Sequence, residues 1–143
     1  MRVGKGLSAD DAKEVADFIS NHRSLQRVML SGNNLGSHGA DNLAPAIANS
    51  RISRVDFRHN SLLDEGATSM CDALSSSTYL RRLDLSGNSI GIPGSRGVSR
   101  LLAKSTSLER LDMRNNPIMD EGVAAMAAVL SRGTTGLRRV SVL

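Results

Sequence analysis

An apolar ladder is written five times along this chain at nearly constant spacing, and no other feature restricts the fold as much. Leu25, Val28 and Leu30 recur as Ile52, Val55 and Phe57, then Leu80, Leu83 and Leu85, then Leu108, Leu111 and Met113, and finally Leu137, Val140 and Val142. The first members stand 27, 28, 28 and 29 residues apart. Four ladders are followed at one offset by an asparagine (Asn33, Asn60, Asn88, Asn116) and, two residues on, by Leu35, Leu62, Ile90 and Ile118. The unit reads LxxLxLxxNxL. A unit this short cannot bury its apolar face alone, so successive copies must stack and share one continuous core.

Within each unit the residues select their own local structure. Leu83, Asp84 and Leu85 alternate apolar and polar with the period of a strand, as do the matching triplets. The asparagine beyond the strand suits a turn whose backbone groups would otherwise be buried unbonded. Repeated in register, it predicts a structural ladder of Asn33, Asn60, Asn88 and Asn116. The second half of each unit has apolar residues three and four apart: Gly39, Ala40, Leu43 and Ile47; Gly66, Ala67, Met70 and Leu74; Gly94, Val98, Leu101 and Leu102; Gly122, Val123, Met126 and Leu130. That spacing predicts amphipathic helices. Asp64 and Asp120 stand where an acidic residue would cap its own helix. Ser8 to Asn21, with Ala12, Val15, Ala16 and Ile19, predicts a further helix that opens the stack as a half-repeat. Parallel strands on one side and wider helices on the other bend such a stack, with strands concave and helices convex.

These residues resemble the leucine-rich repeat family, and within it the ribonuclease-inhibitor-like subclass. The likeness is carried by Leu80 to Ile90, by Leu108 to Ile118, and by the Asp-Glu-Gly runs at Asp64 and Asp120. It implies an α/β fold, a right-handed curved solenoid, and protein binding through the concave face. The subclass includes enzyme inhibitors, sensing regions of innate immune receptors, actin-capping proteins and the activator of the Ran GTPase. The expected organisation is an N-terminal half-repeat over residues 1–24, then repeats from 25, 52, 80 and 108 and a truncated one from 137. Regulation of a small GTPase is the alternative to a plain interaction scaffold.

Residues that alternate with the ladder must face out of the concave side. The first outward position is arginine in all five copies: Arg27, Arg54, Arg82, Arg110 and Arg139. The next is Met29, Asp56, Asp84, Asp112 and Ser141, and beyond the third ladder residue come Ser31, Arg58, Ser86 and Arg114. Adjacent parallel strands lie about 4.8 Å apart, so the arginines crowd one another unless the aspartates, about 6.6 Å along each strand, sit between them. Two readings stand. In one, the arginines and aspartates form a surface lattice of weak pairs. In the other, arginines left unpaired at the two ends and at Arg58 and Arg114 grip carboxylates or phosphates of a partner.

Eighteen Lys and Arg against fourteen Asp and Glu leave a formal +4, which favours a protein partner with an acidic surface. Phe18, Phe57 and Tyr79 are the only aromatic residues, too few for a base-stacking platform, which disfavours nucleic acid. No apolar run is long enough to span a bilayer, so the expectation is a soluble protein with no membrane partner. Cys71 is the only cysteine, pointing to a reducing cytoplasmic or nuclear setting. It is expected to pack in its helix rather than react. His22, His38 and His59 lack a partner at fixed spacing and read as loop histidines. No nucleophile, base and orienting group come together, and no ligand spacing predicts a metal or cofactor. The chain is therefore expected not to be an enzyme. The apolar edge at 137–143 is expected either to self-associate or to continue into a longer protein.

Overall fold

The structure, a computed structural model, describes residue 1, residues 6–133 and residues 136–142. Its elements alternate strictly: α1 (Asp11–Asn21), β1 (Arg27–Met29), α2 (Gly36–Ala48), β2 (Arg54–Asp56), α3 (Leu63–Leu74), β3 (Arg82–Asp84), α4 (Ile92–Lys104), β4 (Arg110–Asp112), α5 (Met119–Leu130) and β5 (Arg139–Ser141). The five strands form one parallel sheet in sequential order. Their register is uniform, with Arg27 beside Arg54, Arg54 beside Arg82, Arg82 beside Arg110 and Arg110 beside Arg139. Each strand has only three residues, because the sheet grows by adding repeats rather than by lengthening strands. The helices pack in sequence, α1 on α2 through to α4 on α5.

The core lies between sheet and helices. Val28, Val55, Leu83 and Leu111 point inward from the strand centres, with Leu30, Phe57, Leu85 and Met113 behind them, all buried. Leu43, Ile47, Met70, Leu74, Val98 and Leu101 meet them from the helices. Neighbouring helices approach closely at the recurrent glycine: a Cβ on Gly66 would lie 2.8 Å from Cα of Ser37.

The asparagines tie repeat to repeat. The Asn88 side chain donates to the Phe57 carbonyl at 2.9 Å, across the repeat boundary, and to the Leu85 carbonyl at 3.0 Å. Its Oδ1 accepts the Asn60 N–H at 2.9 Å. Asn116 repeats the pattern one step on, donating to Leu85 and Met113 and accepting from Asn88 and Ile90. Asn33 carries the ladder to the N-terminal segment, where its Oδ1 accepts the Leu7 N–H at 3.0 Å. Met1 lies along the edge of β1, accepting from the Met29 N–H.

The acidic residues at the helix starts do not cap their own helices. Leu62 occupies the cap position of α3 and makes no side-chain cap bond. Asp64 instead reaches the neighbouring helix, where its Oδ1 accepts the N–H groups of Gly91 and Gly94 at 2.7 and 2.9 Å. The cap is therefore supplied across the repeat boundary. A Cβ on Gly94 would sit 2.6 Å from that oxygen, so glycine leaves the carboxylate its room. Asp120, at the matching place in α5, is exposed.

The last helix is covered least. α5 buries only Gly122 and Met126, where α3 buries five residues. Cys71 lies in α3 with no exposed surface, and burial, aided by the charge of Asp72, pushes its thiol up to about 12.

Candidate partner-binding face

With the middle residue buried in β1 to β4 and half-buried in β5, the first and third turn outward. The uniform register then sets Arg27, Arg54, Arg82, Arg110 and Arg139 side by side in a row about 19 Å long. All five are exposed. Among the described residues, every ion pair within 4.0 Å uses some other cation, and no guanidinium of this row donates a side-chain hydrogen bond.

The aspartates are already engaged, by different arginines from those the sequence suggested. Arg58 grips Asp56 with both sides of its fork, Nε to Oδ1 at 3.0 Å and Nη2 to Oδ2 at 2.8 Å. It also lies 3.5 Å from Asp84. Arg114 grips Asp112 in the same way, Nε to Oδ1 at 3.0 Å and Nη2 to Oδ2 at 2.6 Å. Asp84, whose equivalent partner position holds Ser86, accepts from the Ser86 hydroxyl at 2.7 Å. In all three copies the aspartate also accepts the backbone N–H two residues on, from Arg58, Ser86 and Arg114.

That backbone bond is the physical reason for this choice of partner. It turns each carboxylate toward the C-terminal end of its strand and away from the arginine two residues before it. Arg58 and Arg114, expected to be free for a ligand, are the paired ones. Arg54, Arg82 and Arg110, expected to be neutralised by the aspartates, have no carboxylate within 4.0 Å among the described residues, and neither do Arg27 and Arg139 at the ends.

The protonation energetics follow the pairing. Burial works against the charged form of Asp112, but the hydrogen bonds and charge of Arg114, with the charge of Arg139, hold its carboxyl below the usual range. The bond to Asp56 raises Arg58, and the bond to Asp112 raises Arg114. A groove of about 230 Å³ runs between Arg54, Arg82, Arg110 and Arg139 on one side and the aspartates on the other. Seven arginines and three aspartates on this face sum to +4, which equals the formal surplus of the whole chain, 18 − 14. The rest of the sequence carries equal numbers of formal positive and negative charges.

Among the described residues no three His, Cys, Asp or Glu side chains gather as a metal site would require. No helix described is long and apolar enough to cross a membrane. His22 bonds the Phe18 carbonyl and stacks on the Phe18 ring with centroids 3.7 Å apart, an arrangement local to the end of α1.

The ladder, the sequential parallel sheet and a family model described as leucine-rich repeat, matching residues 21–44, 76–94 and 104–127, agree. The chain is built of leucine-rich repeats. The matched stretches take in the ladders at Leu25, Leu80 and Leu108, each with leucine at its first position. Among solved structures, the leucine-rich repeat fold found here is similar to leiomodin-1 actin-binding site 2, with a TM-score of 0.79 and 15% identity over 94% of this chain and 78% of that one. At that identity the likeness is one of fold. No curated protein sequence matches the chain.

Proposed function

We propose that the protein is a non-catalytic interaction scaffold that holds a protein with an acidic surface against the row Arg27, Arg54, Arg82, Arg110 and Arg139. The observation that carries this reading is the set of five exposed guanidiniums in register with no carboxylate partner among the described residues. Like charges about 4.8 Å apart repel, and arginine's planar fork suits carboxylates, so an acidic partner relieves the repulsion as it binds. Asp56, Asp84 and Asp112, held by Arg58, Ser86 and Arg114, form the far side of the groove and set which residues of a partner are admitted. The similar fold of leiomodin-1 is named as an actin-binding site, which supports a binding role for this architecture and makes actin one bait worth including.

The test is affinity capture with the wild-type chain and with the triple variant Arg54→Glu, Arg82→Glu and Arg110→Glu, with circular dichroism to verify that both fold. Loss of captured acidic proteins in the variant is expected. Equal capture refutes the reading. Regulation of a small GTPase draws on the same face and is separated by one assay: accelerated GTP hydrolysis in a panel of small GTPases would favour it. The outer edge of β5 pairs with nothing among the described residues, and α5 beside it is thinly covered. This favours self-association there, which light scattering over a concentration series would detect.

A further inference from the structure

The return loops that lead into the N-terminal ends of the strands hold a second groove, of about 380 Å³, between the C-terminal ends of α1 and α2 and the loop before β3. Half-buried Ala46, with the buried Ile19 behind it, gives it an apolar wall. Tyr79, 47% exposed, stands over it, and the Arg51 guanidinium lies 5.9 Å from the centre of the Tyr79 ring. Arg23 completes the rim. Among the described residues neither Arg23 nor Arg51 has a carboxylate within 4.0 Å or donates a side-chain hydrogen bond. The serine hydroxyls nearby are occupied, Ser20 on the Ala16 carbonyl and Ser50 on that of Ile47.

This groove is continuous with the arginine row. One depression joins Arg23, Arg51 and Tyr79 to Arg81, and the next joins Arg81 to Arg27, Arg54 and Arg82. None of the residues lining these three depressions is acidic, and Arg81, which links the last two, is itself paired with Glu109 at 2.6 Å. A surface that combines tyrosine, arginine and an apolar recess beside a free basic row has the composition of an interface anchor. We propose that this groove is a second contact for the same acidic partner, and that it takes a large apolar or aromatic side chain flanked by carboxylates. The side chain stacks on Tyr79 against Ile19 and Ala46, and the flanking carboxylates meet Arg23 and Arg51. The partner then continues over Arg81 onto the row. This proposal rests on the reading of the row as a site for an acidic partner.

The probe is a capped pentapeptide with phenylalanine between two pairs of glutamates, compared with one carrying alanine at the centre. Each is titrated into the full ¹⁵N-labelled chain and followed by amide shifts. Saturable shifts at Ser20, Asn49, Ser50, Arg51 and Tyr79 are expected with the phenylalanine peptide, with at least about fivefold weaker binding of the alanine peptide. Tyr79→Ala should bring the first peptide down to the level of the second, while the triple charge reversal of the row leaves the groove shifts in place. Equal affinity of the two peptides, or no effect of Tyr79→Ala, overturns the groove proposal. Shifts confined to β1 through β5 overturn it while leaving the row standing, and no shift at either place removes both.

Discussion

Replacing Asn88 by alanine should cost this protein far more than the same change at Asn33, although the two occupy the same place in their repeats. Asn88 is fully buried and makes three bonds of 3.0 Å or less: to the carbonyls of Phe57 and Leu85, and from the N–H of Asn60. Alanine leaves the Asn60 N–H inside the stack with no partner and takes one of two asparagine bonds from each carbonyl, Phe57 keeping that of Asn60 and Leu85 that of Asn116. At about 1–1.5 kcal/mol for each bond the loss is about 3–4 kcal/mol, a large share of a domain's stability. Asn33 makes two bonds, to the Leu30 carbonyl and from the Leu7 N–H, and keeps 8% exposure near the first edge of the stack. Water can replace part of what is lost there, and about 1–2 kcal/mol is expected. Urea unfolding of the wild type and both variants, followed by far-ultraviolet circular dichroism, measures the difference. Asn88→Asp separates the two halves of the effect, since it keeps an acceptor for Asn60 but turns oxygens toward the carbonyls of Phe57 and Leu85; it should cost at least as much as alanine. A loss below about 1 kcal/mol in Asn88→Ala, or a loss in Asn33→Ala of equal size, would refute the account of the ladder as the bond that joins repeats.

Arginines on the same face should behave oppositely in the isolated chain. Arg82→Ala should change stability by no more than about 0.5 kcal/mol, while Arg58→Ala should cost about 1–2 kcal/mol. Arg58 is the charged partner of a nearly buried Asp56, though its own 46% side-chain exposure screens the pair. Denaturation midpoints in reversed order would show that the pairing is misassigned. Asp64→Ala should lose about 1–2 kcal/mol by uncapping α4, whereas Asp120→Ala should stay within about 0.5 kcal/mol; thermal melts of the pair decide it. Cys71 should resist a thiol reagent such as DTNB at pH 8 in the native state and react once urea unfolds the chain. Because its folded value is raised from 9.0 to about 12, the stability held by the neutral buried thiol is fully present below pH 9 and is lost as pH rises above it. Cys71→Ser should flatten that alkaline decline, and an unchanged decline would exclude the thiol as its cause.

Where periodicity carries information, the chain could be read directly. Five ladders at a near-constant interval admit one arrangement of strands and helices, because each copy finds apolar surface only on its neighbours. The outward alternation of strand residues likewise marks the row of five arginines in the sequence itself. The pairing within that face was not legible in this way. Arg54 and Arg58 are each two residues from Asp56, so spacing along the chain does not distinguish them. The choice is made by the N–H of Arg58, which binds Asp56 and turns its carboxylate. Asp64 shows the same limit. Its position two residues before glycine looks like a cap for its own helix, yet the N–H groups it binds belong to Gly91 and Gly94 in the next repeat. Tyr79, Arg51 and Arg23 gave no signal, since they lie outside the repeated positions and meet only because the return loops stack.

The amino-acid order alone thus determined the repeat, the direction of every strand and which residues face outward, because these follow from apolar periodicity and the need to bury it. Only the tertiary structure decided which arginines are neutralised, which helix Asp64 caps and where the return loops leave a groove. Those outcomes depend on directions and distances of a few ångströms between groups more than twenty residues apart or equally spaced along the chain, and a one-dimensional pattern does not contain them.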